Sequence, residues 1–413
     1  MIQFEKFQLS NGLRVLVHED PSTPMAVLDV LYDVGARDED PSRTGFAHLF
    51  EHLMFGGSVN IPDFEIPLQL AGGENNAYTT NDFTNYYIQL PAENLETAFY
   101  LESDRMLSLA FDEKSLDVQR KVVCEEFKEH YINKPYGDVW FKMRELAYKK
   151  HPYRWMTIGK ELSHIENASL QDVKNFFFKY YRPVNAILVV AGNVRTDQVR
   201  RLAEKWFGDI PAGEKYVRNL PVEPAQHDLR KLEITADVPL DALYKAFPMA
   251  ARTDAGYYVA ELITEVLGGG GSSRLHQSLV KEQKLFSQIE CYQTGSNDPG
   301  LLVVEGKLIK GVSLDAADKA IEVELQKISS EKISEKELAK VKNKTESAIV
   351  FEDMSVMNRA NSLAIYELLG DANMMNTELA KYQAITTDDV LVNSQRLFDP
   401  NNSNTLYYAS QTK

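Results

Sequence analysis

Cysteine is nearly absent from this 413-residue sequence: only Cys124 and Cys291 occur. Two thiols outside any CxxC pair cannot build a disulfide framework, so a disulfide-stapled scaffold is excluded and both are expected as buried free thiols. No apolar run approaches the roughly 20 residues a membrane-spanning helix needs, so no membrane association is expected. Basic charge is in deficit, with 45 Lys and Arg against 60 Asp and Glu, a net charge of −15. A nucleic-acid partner calls for the opposite balance and is not expected. An acidic surface suits a polypeptide substrate, and it is equally an ordinary solubility device. Met1 to Lys6 has neither the basic nor the apolar stretch of a signal peptide. That predicts a cytoplasmic location, or a periplasmic one where a leader has been removed.

What is present is a globular composition, 44% hydrophobic and 25% charged, in a chain too long for one ordinary core. Phe7 to Val17 alternates around Ser10-Asn11-Gly12 and reads as a hairpin. Met25 to Val34 reads as a strand, and Phe46 to Phe55 as an apolar helix stopped by Gly56-Gly57. Asn76 to Gln89 suggests strands, with helices at about 93–109, 113–131, 136–149, 169–180 and 196–207, and a buried strand at Ala186 to Val194. Residues 208–226 hold two glycines and three prolines without periodicity, which predicts a boundary there. The expected organisation is a domain at 1–212, a linker at 213–226 and a second domain at 227–413. The second domain reads as a degenerate repeat: GFAHLFEHLMFGG laid over YYVAELITEVLGG sets Ala260 opposite His48, Ile263 opposite Glu51 and Thr264 opposite His52.

The chemistry concentrates in His48-Leu49-Phe50-Glu51-His52. Residues four apart on a helix share a face, so His48 and His52 can offer two imidazoles to one metal ion. Glu51 flanks that face. Catalytic Zn2+ takes three protein ligands and keeps one position open. It acidifies the water it binds, and a neighbouring carboxylate can take the proton and later deliver it to a leaving amine. Phe46, Leu49, Phe50, Leu53 and Met54 leave this helix little solvated face, and buried ionisable groups are normally paired or metal-bound. Glu51 is therefore the expected catalytic base, and one Zn2+ per chain the expected cofactor, although such a ligand set also accepts Mn2+ or Co2+.

HxxEH is the inverted form of the HExxH zincin motif. The chain resembles the pitrilysin-type metallopeptidases over nearly its whole length, most closely the short members such as the catalytic subunit of mitochondrial processing peptidase. Leu9 to Leu13, Gly72 to Thr79, Thr84 to Tyr87 and Gly268 to Leu275 carry the resemblance beyond the motif. It implies an α+β fold of two homologous domains, each an antiparallel sheet with helices packed on one side. It also implies a zinc endopeptidase acting on short or unfolded peptides in an enclosed chamber. The family's third ligand lies about 75 residues beyond the second histidine. Here Glu126 falls 74 positions after His52, with Glu125, Glu129 and His130 as neighbouring alternatives. Asn76 and Ala77 match positions where substrate is bound by strand addition.

Two departures from the family pattern matter. Gln119 replaces a glutamate thought to orient the ligands from outside, which leaves a hydrogen-bonding group without charge. Val280 and Ser287 stand where members that act alone carry an arginine and a tyrosine that grip substrate. By resemblance, a homologous subunit would supply that pair in a heterodimer, a homodimer being the alternative. The reading from a different class is a non-catalytic scaffold that keeps the fold. Such chains typically lose the HxxEH residues, which are intact here.

Overall fold

The turn at Ser10-Asn11-Gly12 closes the first hairpin, β1 (Glu5–Gln8) with β2 (Arg14–Glu19), Gly12 taking φ +90° where a side chain would strain. The computed structural model describes residues 1–411. Strand β3 (Met25–Tyr32) is apolar at every position but one and is buried on both faces, as a central strand must be. Helix α1 (Phe46–Leu53) follows it, then α2 (Glu65–Leu70), β4 (Glu74–Thr79) and β5 (Thr84–Pro91). Helices α3 (Leu95–Ser108) and α4 (Glu113–Phe127) come next, the latter started by an Asp112 cap. The chain continues through α5 (Val139–Ala147), α6 (Leu162–Glu166) and α7 (Leu170–Tyr180), the last opened by a Ser169/Asp172 capping box. It returns through β6 (Ala186–Gly192) and α8 (Thr196–Phe207).

Beyond residue 226 come β7 (Arg230–Ala236), β8 (Ala242–Pro248), α9 (Ala255–Gly268), β9 (Phe286–Gln293) and β10 (Leu301–Leu308). Helices α10 (Leu314–Ser330), α11 (Glu335–Glu352), α12 (Val356–Leu368), α13 (Met374–Ala384) and α14 (Thr387–Leu397) precede β11 (Asn404–Ser410). The first sheet has the order β1-β2-β6-β3-β5-β4 and the second β7-β11-β8-β10-β9. Without β1, the two orders coincide strand for strand.

The α+β class is as expected, with two differences in detail. Each sheet contains one parallel pair, β2 with β6 and β7 with β11, among otherwise antiparallel neighbours. In each, the last strand enters after a helix, beside β2 in the first sheet and beside β7 in the second, and runs the same way as that strand, which a hairpin could not arrange. Helices also lie on both faces of each sheet. In the first, α12 sets Ala360, Leu363 and Ala364 against Val27, Leu31, Ile187 and Val189. In the second, α5 sets Val139, Met143 and Ala147 against Ala242, Tyr244, Val303 and Leu406. Both faces of the central strands are apolar, so a second cover is required; each fully buried Leu, Ile or Val contributes about 1.5–3 kcal/mol.

The chain forms two compact units. The first comprises residues 1–129, 155–221 and 350–377, the second 130–154, 222–349 and 378–413. The crossing at Pro221/Val222 falls inside the 213–226 segment, while the two covering helices α5 and α12 belong to units other than those a contiguous division assigns. No helix among the described residues is long and apolar enough to cross a membrane. Both cysteines are buried free thiols.

Candidate active site

Helix α1 is fixed by its apolar side. Phe46, Ala47, Leu49, Phe50 and Leu53 are buried, and the Phe50 ring lies 5.1 Å from Phe176 and 4.9 Å from Tyr181, centre to centre. Its far end is braced by the buried Glu102/Arg105 pair of α3, whose guanidinium lies over the rings of Phe55, Phe64 and Tyr86. With that side committed to the core, His48, Glu51 and His52 share the remaining, half-buried face. This is the helical geometry the spacing predicts.

Glu126 of α4 meets that face. One of its carboxylate oxygens lies 3.4 Å from Nε2 of His52 and 3.8 Å from Nε2 of His48. The imidazole centres are 4.8 Å apart and nearly perpendicular. Ligand atoms of the three residues lie within 4.8 Å of one another, and they form the one such group of three or more His, Cys, Asp or Glu among the described residues. The neighbouring candidates point elsewhere. Glu125 is exposed and paired with Lys128 at 2.8 Å, and Glu129 and His130 are exposed. Gln119 lies two turns before Glu126 on the same face of α4 and is half-buried.

Electrostatics favour a metal-ready state. Burial pushes the His48 imidazolium well below the usual range, opposed by the Glu126 carboxylate and reinforced by His52, so His48 stands neutral, the form that ligates. Burial raises the Glu51 carboxyl, opposed chiefly by a hydrogen bond from Thr79. The Thr79 hydroxyl donates to Oε2 of Glu51 at 2.6 Å.

Thr79 was not singled out by sequence reasoning, although the signal lay in the strand pattern. Side chains alternate along a strand, so Thr79 shares the α1-facing side of β4 with the buried Ala77. Asn76 is exposed on the other side, and its Oδ1 accepts the Ala77 N–H at 2.8 Å. Since β4 is the outermost strand, that N–H lies on a free sheet edge. In the second unit, Val280 packs against the apolar core, and the exposed Ser287 hydroxyl donates to the Lys307 carbonyl at 3.0 Å.

Residues 14–157 match the family described as Insulinase (Peptidase family M16), and residues 167–345 match the Peptidase M16 inactive domain. The chain belongs to peptidase family M16. His48, Glu51, His52 and Glu126 all fall in the first matched region. Among M16 relatives, the zinc protease PqqE of Helicobacter pylori is 29% identical over 98% of this chain and 92% of its own length. The mitochondrial-processing peptidase subunit beta of Saccharomyces cerevisiae is 30% identical over 51% of this chain and 46% of its own. The crystal structure of a protease from Helicobacter pylori superposes with a TM-score of 0.92 at 28% identity, covering 99% of this chain and all of that one. M16 relatives are thus named as zinc proteases, and the pitrilysin-like fold is common to them.

Proposed function

We propose that this M16 chain is a zinc-dependent endopeptidase of short or unfolded peptides, with His48, His52 and Glu126 as ligands and Glu51 as general base. The observation that carries the reading is the meeting of two imidazole nitrogens and one carboxylate oxygen, from two helices, at the open end of a buried helix face. The donor set suits zinc. In a tetrahedral site with bonds near 2.05 Å, neighbouring ligand atoms stand about 3.3 Å apart, and here the carboxylate oxygen stands 3.4 and 3.8 Å from the two nitrogens. Zinc held there would supply Lewis-acid polarisation of the scissile carbonyl and of the attacking water.

The remaining steps belong to the chain's own side chains. Glu51 accepts the proton released at water attack, while the Thr79 hydroxyl holds its Oε2. The same proton is then delivered to the departing amine. A substrate strand adding to the free edge of β4 would take the Ala77 N–H from the Asn76 side chain and so lay its backbone alongside α1. Val280, packed against the core, and the short Ser287 supply no grip on substrate. A homologous subunit carrying an arginine and a tyrosine would complete the enzyme as a heterodimer, and the yeast relative is itself named as a subunit.

The test is cleavage of a quenched fluorescent peptide library by the purified chain, with and without chelator, beside Glu51→Gln. Cleavage lost under both treatments supports the reading in full. No cleavage with one zinc per chain supports an incomplete enzyme awaiting its subunit. No cleavage and no zinc would leave the scaffold reading in its place.

A further inference from the structure

Helix α1 begins without a cap of its own. Gly45, in the left-handed region at φ +90°, precedes it and has no side chain to receive the first-turn N–H groups. A side chain could not be added there, because its Cβ would meet the Ile158 carbonyl at 2.7 Å and Ile165 Cδ1 at 2.6 Å. Unreceived N–H groups at a buried helix end are costly. The receiver lies six residues earlier in the chain. Glu39 Oε2 accepts the Gly45 N–H at 2.9 Å, and Oε1 accepts the Ala47 N–H at 2.8 Å. Glu39 is 7% exposed.

The loop that presents Glu39 is itself held. Trp155 Nε1 donates to the Ala36 carbonyl at 2.9 Å, and the Tyr180 hydroxyl donates to the Asp38 carbonyl at 2.9 Å. A carboxylate engaged through both oxygens by two N–H groups of the same turn fixes the rotation and axial position of the first helical turn. His48 is the residue immediately after Ala47.

We infer that Glu39 is a positioning residue of the metal site: its carboxylate caps α1 from a distance and so sets where the His48 imidazole stands. The inference rests on the metal reading of the preceding section. An amide at position 39 presents a donor to one of the two N–H groups in either orientation, so Glu39→Gln loosens the cap with almost no change of shape.

The experiment titrates Co2+ into metal-free wild type and Glu39→Gln, following the visible absorption of the bound ion, with amide hydrogen exchange of both proteins alongside. Cobalt affinity is expected to fall about 10–100-fold in the variant, the range seen when a group supporting a ligand is lost, with a shifted absorption band. A general loss of stability would lower the melting temperature without moving the band of the folded protein. In the wild type, Gly45 and Ala47 amides are expected to exchange as slowly as those of β3, although both lie at a helix start. Equal affinity and an unchanged band in Glu39→Gln, or fast exchange of both amides in the wild type, would overturn the inference. Wild type that binds no cobalt while both amides stay protected would instead overturn the metal reading and leave the cap standing.

Discussion

Helices α1 and α9 occupy equivalent places, each entered from the central strand of its sheet and followed in chain order by the outermost strands. What they carry at the matching positions differs entirely. On α1 these hold His48, Glu51 and His52, with Glu126 of α4 brought across to the two imidazoles. On α9 the matching residues, Ala260, Ile263 and Thr264, are all buried. The link from α9 to its neighbour α11 is an ordinary ion pair, Glu265 with Lys344. The α9 version is the more economical way to build a stable layer, since it buries apolar groups and leaves its charges half-exposed. Ionisable groups kept half-buried on α1 against that alternative support the proposal of a metal site there.

The central strands differ in a second way. Lys245 of β8 is buried but paired with Asp318 at 2.7 Å and Glu322 at 2.8 Å. Asp29 of β3 is fully buried and has the Asn85 amide at 2.9 Å as its donor, with Oδ1 left over. Burial pushes its carboxyl up to about 7, the Asn85 hydrogen bond opposing.

The largest effect expected is on turnover. Glu51→Gln keeps the metal and should lower kcat by about 10²–10⁴-fold, the span of general base catalysis; full turnover in the variant, measured with a peptide the wild type cleaves, would remove Glu51 from its role. Next comes the metal itself. At free zinc 100–1,000 times Kd, bound metal should add about 3–4 kcal/mol to stability. Chelation should reverse this, and amide exchange should quicken in α1 and α4 but not in α9 and α11.

Asp29→Asn separates the two central strands by pH. The folded-state value of Asp29 lies above that of the unfolded chain, near 3.9. The folded protein therefore holds the proton longer, and stability falls as pH rises from about 4 to about 7. The variant lacks that slope. It should match wild type in urea unfolding near pH 4 and exceed it at pH 8 by on the order of 2–4 kcal/mol. Identical curves at both pH values would contradict the assignment.

A smaller loss is expected of Thr79→Val, which removes a hydrogen bond to a carboxylate. At about 1.5–3 kcal/mol, kcat should fall roughly 10–150-fold with KM held, and Thr79→Ser should restore it. Smallest of all, Lys344→Met breaks the half-exposed pair of the second unit and should change stability by less than about 1 kcal/mol.

The histidine pair and Glu51 were legible because helix geometry is local: spacing alone puts them on one face. Glu126 was not legible in that way. Glu125, Glu126 and Glu129 follow one another on α4, and which of them meets α1 depends on how Val123 and Phe127 seat that helix. Only the resemblance selected Glu126 beforehand. The strands and helices read in residues 1–207 followed from apolar periodicity to within a few residues, whereas the elements after α9 were not placed beforehand. A helix over α5 was expected but none over α12, and periodicity does not say which sheet an apolar side will cover, so the exchange of these helices between units was hidden. The parallel pairs were hidden for the same reason, since order in a sheet is a property of connections over long distances. Strand alternation puts Thr79 on the side of β4 that faces α1, but its hydrogen bond to Glu51, 28 residues away, is tertiary. Glu39 caps α1 through two hydrogen bonds across a loop that carries no pattern of its own.

The central claim is that His48, His52 and Glu126 together hold one zinc ion. Its most direct test is the zinc content of purified, buffer-exchanged wild type beside Glu126→Gln, both verified as folded. One zinc per wild-type chain, lost from the variant, is the predicted result. Wild type without zinc, or a variant that retains a full equivalent, would contradict the account.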